Sequence, residues 1–315
     1  MRLNFRIWNL RFFVATIAAV LSSSIAVAEP KVREINDFPP IKPAEGEALT
    51  DGIPHGRAAH GAGKFFAVGV LKAWFAMPTD RYRHGVLGDR IEAGGVMFQP
   101  PSPDTPSAFL IKVPEDSVFE DIQPRIVDFD GDGILDIVAI RSYLDAGASV
   151  SVIGYHEAKD GAISSFWMQS PPIGTPNRWL NPVGVADFDG DGDKEIVAVV
   201  TPHIGGVLTV YERDGEKLVP KPVMQDVSNH MIGSPDLRLH AVIDWNDDGV
   251  SDIAVPDQSR RVLRFITLKD GVAKEIDRVD LGAEMIPPMK QRQWKSEPWE
   301  IIVRLKDGRA VAVAR

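Results

Sequence analysis

Three acidic stretches hold the residues of this chain best placed to do chemistry. They are "DFDGDGILDIV" from Asp128, "DFDGDGDKEIV" from Asp187 and "DWNDDGVSDIA" from Asp244. Numbered from its first aspartate, the first has carboxylates at positions 1, 3, 5 and 9: Asp128, Asp130, Asp132 and Asp136. The second places Asp187, Asp189, Asp191 and Glu195 at the same offsets, and the third Asp244, Asn246, Asp248 and Asp252. Like charges so close in a poorly solvated loop repel strongly unless a counter-charge neutralises them. A hard divalent cation does this, and Ca2+ takes about six to eight oxygens in a flexible shell. The backbone carbonyl at position 7, from Ile134, Asp193 or Val250, would supply one more. Two or three Ca2+ sites are expected. The third is expected to be the weakest, because Asn246 keeps an oxygen and loses a charge.

The EF-hand shares the D-x-D-x-D-G opening but needs a bidentate glutamate at position 12 and an exiting helix. Position 12 here is Ala139, Ala198 or Val255, each followed by strand-forming residues. A solvated acidic turn is the plainer reading of any one stretch. Three at the same offsets, each running into an apolar segment, argue for metal loops.

The elements that must position these loops are β-strands. Short runs rich in β-branched residues, such as "SAFLIKVP", "ASVSVIGYHE" and "RRVLRFITLKDGVAKEI", alternate with turn residues almost to the end. Asp-Gly pairs at Asp160-Gly161, Asp214-Gly215, Asp270-Gly271 and Asp307-Gly308 mark hairpins. The acidic loops recur at intervals of 59 and 57 residues, each interval holding about four strands, the content of one propeller blade. The runs after the loops, "ILDIVAI", "KEIVAVV" and "VSDIAVP", are continuously apolar, as strands buried on both faces are. The expectation is an all-β chain, a β-propeller of about five four-stranded blades, within a range of four to seven.

Residues 83–113 read as a metal-free blade with "GDRIEAGG" at the place of an acidic loop. "WEIIVRLKDGRAVAVAR" supplies two strands of a last blade, which an N-terminal strand such as "FFAVGVLKAWFA" could complete.

The three acidic stretches resemble the FG-GAP/VCBS repeats of integrin α subunits and of many secreted bacterial proteins. The resemblance covers about residues 120–265 and weakens over 60–119. It implies a β-propeller with a Ca2+ ion in the loop of each matching blade. It carries no single function, since that family spans adhesion modules and domains attached to hydrolases.

Three domains follow: residues 1–28 a signal peptide, 29–57 a Pro-rich flexible lead-in, and 58–315 the propeller. Arg2, Arg6 and Arg11 precede a short apolar run that ends at "AVA" before Glu29, the pattern of an export signal. Its core of about ten strongly apolar residues is short for a membrane span, and no later segment is expected to cross one. The chain has no cysteine, so an exported form would draw its stability from core burial, metal ions or both. A formal net charge of −9 argues against a nucleic-acid partner.

The seven histidines, His55, His60, His84, His156, His203, His230 and His240, fall in no metal-ligand spacing, and each reads as structural. Two loops, Ile173–Pro182 and Pro287–Trp299, bring tryptophan together with Arg or Lys; a tryptophan packed between blades is favoured there over a ligand platform. The leading functional expectation is an exported module that binds a protein or a glycan. The alternatives are a hydrolase or lyase acting near the propeller channel, and a purely structural envelope protein.

Overall fold

A computed structural model describes residues 29–36, 66–68, 71–99, 108–157, 163–293 and 298–315. The expected signal peptide and most of the lead-in lie outside these residues. Among the described residues the only helical element is a single 3-10 turn, Lys269–Gly271, and no helix is long and apolar enough to cross a membrane.

Among the described residues the strands form five antiparallel units of four. Unit A contains β2 (Phe66–Val68), β3 (Leu71–Thr79), β4 (Glu92–Gln99) and β5 (Phe109–Lys112). A short strand, β6 (Ser117–Phe119), leads into unit B, which contains β7 (Arg125–Val127), β8 (Asp136–Tyr143), β9 (Gly147–Glu157) and β10 (Ile163–Gln169). Unit C contains β11 (Leu180–Ala186), β12 (Glu195–Val200), β13 (Val207–Asp214) and β14 (Lys217–Gln225). Unit D contains β15 (Ala241–Ile243), β16 (Asp252–Pro256), β17 (Val262–Thr267) and β18 (Lys274–Asp280). Unit E contains β19 (Met285–Arg292), β20 (Glu300–Leu305) and β21 (Ala310–Ala314), and its fourth strand is β1 (Lys31–Glu34).

The packing shows why the post-loop strands are apolar throughout. In β8, Ile137 and Ala139 join a core with Phe75, Val96 and Phe98 of unit A, while Val138 and Ile140 join one with Leu180, Ile196 and Ala198 of unit C. In β12 the alternate residues Val197 and Val199 face Ile253 and Val255 of unit D. Ala254 of β16 turns the other way, towards Ile301 and Val303 of unit E. Each core is thus an interface between consecutive sheets stacked face to face. The first strands also approach one another, β2 to β7, β11 to β15 and β15 to β19. Successive four-stranded sheets with neighbouring first strands and shared cores make a β-propeller of five blades.

Several expectations are corrected. "FFAVGVLKAWFA" does not complete the last blade: Phe66–Val68 and Leu71–Thr79 pair with each other in blade A. The completing strand comes from the lead-in, where Lys31 pairs Ala314 and Glu34 pairs Val311, so that segment is not wholly flexible. All four residues of β1 are exposed, so it shows no apolar alternation, which is why "KVRE" reads as a tail. "GDRIEAGG" is not the counterpart of an acidic loop, because it leads from the second strand of its blade into the third, β4. The true counterpart is the β2–β3 turn, where Val68 pairs Leu71 and leaves no room for a long loop. Pro287–Arg292 is part of β19 and not a loop.

The β1–β21 ladder is reinforced by an ion pair between Arg33 and Glu300 at 2.6 Å. Without it β21 becomes a free edge, a template for association with other chains. A chain starting at residue 37 is therefore expected to melt several degrees below one starting at residue 29 and to associate as concentration rises. Matching melting curves and matching sedimentation of the two chains would show that β1 is dispensable.

Candidate metal centre

Each acidic loop joins the first strand of a blade to the second: β7 to β8, β11 to β12 and β15 to β16. Position 2 is a buried aromatic, Phe129, Phe188 or Trp245, anchored in an inter-blade core. Position 9 is the first residue of the second strand. It is buried in every case, with Asp136 2%, Glu195 4% and Asp252 0% exposed. The two are joined, since the N–H of position 2 donates to the carboxylate of position 9 at 2.9 Å in all three loops.

The rest of the loop wraps round its own carboxylates. In the first loop Asp128 accepts the N–H groups of Gly131 at 2.8 Å and Gly133 at 3.2 Å, and Asp132 accepts that of Ile134 at 2.7 Å. The second loop repeats this with Asp187, Gly190 and Gly192, and with Asp191 and Asp193. Both glycines of the first loop sit at positive φ, +75° and +86°, which explains their place in the motif. In the third loop Asp247 replaces the first glycine and still adopts a φ of 59°.

One oxygen from each of Asp128, Asp130 and Asp136 lies within 4.8 Å of the others, and so does one from each of Asp187, Asp189 and Glu195. Three of the four expected carboxylates therefore converge in each of these loops. Asp132 and Asp191 stand outside the sets, and the third loop forms no such set among the described residues. The buried members resist ionisation. Burial above all, then the neighbouring loop carboxylates, push Asp136 up to about 6 and Glu195 up to about 7. That is the electrostatic signature of a pocket lacking positive charge.

The loops are also tied to the following blade. Arg213, at the end of β13, donates to the Asp130 carbonyl at 3.4 Å and stands 3.8 Å from its carboxylate. The N–H of Asp270 donates to the Asp189 carbonyl at 3.0 Å, and Arg315 donates to the Trp245 carbonyl at 3.3 Å. A polar cleft of about 460 Å³ lies between the first two loops, lined by Asp130, Asp189, Asp191, Glu195 and Arg213.

The opposite ends of the first strands carry a second polar group, which the spacing of residues did not reveal. Between β6 and β7 the innermost strand of blade B is interrupted, and Glu120 and Asp121 are buried in the gap. Asp121 accepts the Ile140 N–H at 3.1 Å, standing in for a backbone carbonyl, and pairs with Arg125 at 2.7 Å. Glu120 binds His84 Nδ1 at 2.7 Å and accepts from Ser142 Oγ at 2.6 Å. Trp179, buried between blades as favoured, donates its indole N–H to the Glu120 carbonyl at 2.9 Å. His203 Nε2 lies 2.9 Å from His230 Nδ1, and His230 Nε2 lies 2.8 Å from the Ser234 carbonyl. A carbonyl only accepts, so His230 carries its proton on Nε2 and His203 donates to its Nδ1. Glu120, Asp121 and His230 precede the first strands of their blades, while His84 and His203 lie between second and third strands, so no spacing in the sequence marks the cluster.

Burial depresses His203 and His230, each to about 4. Between there and the ordinary value of about 6.5 the unfolded chain takes up protons that the fold refuses. The stability they contribute is present above the unfolded value and is lost as pH falls towards the folded one. Replacing His230 by Gln keeps a donor for Ser234 and an acceptor for His203 but removes one titration. The melting temperature of His230→Gln should therefore fall less than that of the parent between pH of about 7 and about 5. Parallel curves would remove these imidazoles from the acid response.

The FG-GAP-like repeat family matches residues 128–198, which span the first two acidic loops and the second strand after each. No curated protein matches the chain. Among solved structures, the crystal structure of BBS1N in complex with ARL6DN, soaked with mercury, aligns at 12% identity over 71% of this chain and 73% of that one, with a TM-score of 0.31. The sheets stacked blade on blade make the chain a β-propeller, and residues 128–198 of it carry the FG-GAP-like repeat.

Proposed function

We propose that this chain is an exported propeller, stabilised by Ca2+ in its acidic loops, that serves as a binding or scaffold module for a protein or a glycan. The observation that carries the metal reading is the pair of convergent carboxylate sets, Asp128, Asp130 and Asp136, and Asp187, Asp189 and Glu195. Their donors are all hard oxygens, each set includes a buried carboxylate, and among the described residues the one ion pair to either set is that of Arg213 with Asp130 at 3.8 Å. That donor chemistry fits Ca2+ and disfavours softer metals. The bound ion would supply the missing positive charge and fix the turn between the first and second strands of blades B and C. The carbonyls of Ile134 and Asp193, with Asp132 and Asp191, are the further oxygens within each loop's reach.

Binding to the folded state raises stability by mass action, by about 2.7 kcal/mol for a site at ~100 times its Kd. Added Ca2+ should raise the melting temperature by several degrees and EGTA should lower it. Asp189→Ala should cost at least tenfold in calorimetric affinity at one site, and Asn246→Ala should leave uptake unchanged. A metal-stripped protein whose melting curve ignores both Ca2+ and EGTA would sink the metal reading.

The binding role is supported by the repeat type and by rigid blades that present loops at both ends of the strands. Export is supported by the basic, then apolar, opening up to Ala28. Fractionation of cells expressing the full chain should recover a shortened protein outside the cytoplasm. The purified chain should then bind defined glycans or envelope proteins in a Ca2+-dependent way. A full-length cytoplasmic product, with no retention above that of a denatured control, would overturn both parts.

A further inference from the structure

We propose that the third acidic loop is closed by the ammonium group of Lys269 in place of a metal ion, so that the chain takes up two divalent cations and not three. The inference rests on the metal reading of the first two loops and separates the third from them.

At position 3 the first two loops carry Asp130 and Asp189, each a member of a convergent set. The third carries Asn246, and its amide is oriented by two bonds at once. Its Oδ1 accepts the backbone N–H of Asp248 at 3.0 Å, so its Nδ2 is the atom that faces the Asp248 carboxylate, 3.1 Å from Oδ2. An amide N–H therefore points at the carboxylate where the other loops offer an anionic oxygen. A cation ligand shell cannot use that atom, because a donor N–H repels the ion.

The same Asp248 Oδ2 receives Lys269 Nζ at 3.1 Å. Lys269 opens the 3-10 turn between β17 and β18 of the same blade, and its side chain is 39% exposed, so it reaches the loop without being buried. No Lys or Arg makes such a pair with Asp132 or Asp191, the position-5 residues of the other loops, among the described residues. Position 9 is engaged as in the other loops, Asp252 accepting from Trp245, while Asp244 accepts from positions 5 and 6, Asp248 and Gly249, in place of positions 4 and 6. The loop still wraps its backbone round its first carboxylate while a tethered cation supplies the counter-charge. Because Lys269 is covalently part of the blade, it is always present and is indifferent to chelators.

The turn that provides Lys269 also holds the second loop, since the N–H of the next residue, Asp270, donates to the Asp189 carbonyl. One turn therefore links a loop that depends on an added ion to one that carries its own.

The test is the stoichiometry of Ca2+ uptake by the full chain, measured by calorimetry, for the parent and for Asn246→Asp/Lys269→Gln. The double variant restores four carboxylates at positions 1, 3, 5 and 9 and removes the ammonium. The expected result is two ions for the parent and three for the variant. Three ions in the parent, or an unchanged count in the variant, would overturn the inference. A parent that binds no ion defeats the metal reading of the first two loops instead. In that case the Lys269 assignment is read from melting in EGTA, where Lys269→Gln should lie a few degrees below the parent and Lys194→Gln, beside the second loop, should match it. Equal melting of all three would overturn it.

Discussion

A carboxylate buried at the first residue of an interior strand, held by the N–H of the aromatic residue seven places before it, is the interaction on which the three loop-bearing blades depend. At 2.9 Å in every copy, this bond closes the turn between first and second strand. It also fixes the aromatic at position 2 in the core between blades. The cost is a desolvated acid in a loop crowded with other acids. The loops meet that cost in part with backbone N–H groups aimed inward. Side-chain cations stand near two of them, Arg213 at 3.8 Å from Asp130 in the first loop and Lys269 at 3.1 Å from Asp248 in the third.

The same turns are the points at which blades touch beyond their apolar faces. Interfaces made of Val, Ile and Ala are largely non-directional. The bonds from Arg213, Asp270 and Arg315 to loop carbonyls of the preceding blade supply direction, all from the ends of third strands. Order in one loop is therefore felt by the next blade, and the polar cleft between the first two loops is shaped by both.

Much of this was legible in the residues. The offsets 1, 3, 5 and 9 are dictated by local chain geometry, so Asp128–Asp136 and Asp187–Glu195 announced themselves. Strands such as Ile196–Val199, buried on both faces, were visible as unbroken apolar runs. What stayed hidden depends on contacts between distant segments. The side chain of Lys269 reaches the third loop only because a hairpin folds back beside it. Glu120 and His84, from two connections, meet Ser142 near the end of β8 because all three lie at the same end of the first strands. Lys31–Glu34 carried no pattern because this strand buries nothing; all four of its residues are exposed. The buried aromatic at position 2 was in plain view and is the clue that ties each loop to the core.

The pairing of Lys31–Glu34 with Val311–Ala314 joins the first and the last of the described strands. A ladder of such sequence separation is a slow contact, since the whole chain must be brought into place before its first hydrogen bond can form. During synthesis Lys31–Glu34 has to wait until Val311–Ala314 has been made. Blades A to D can assemble in order as they emerge, but blade E has only three strands until the first is returned to it. The fifth blade is thus the one that closes last: until β1 pairs with it, β21 keeps an open edge on which other chains can build.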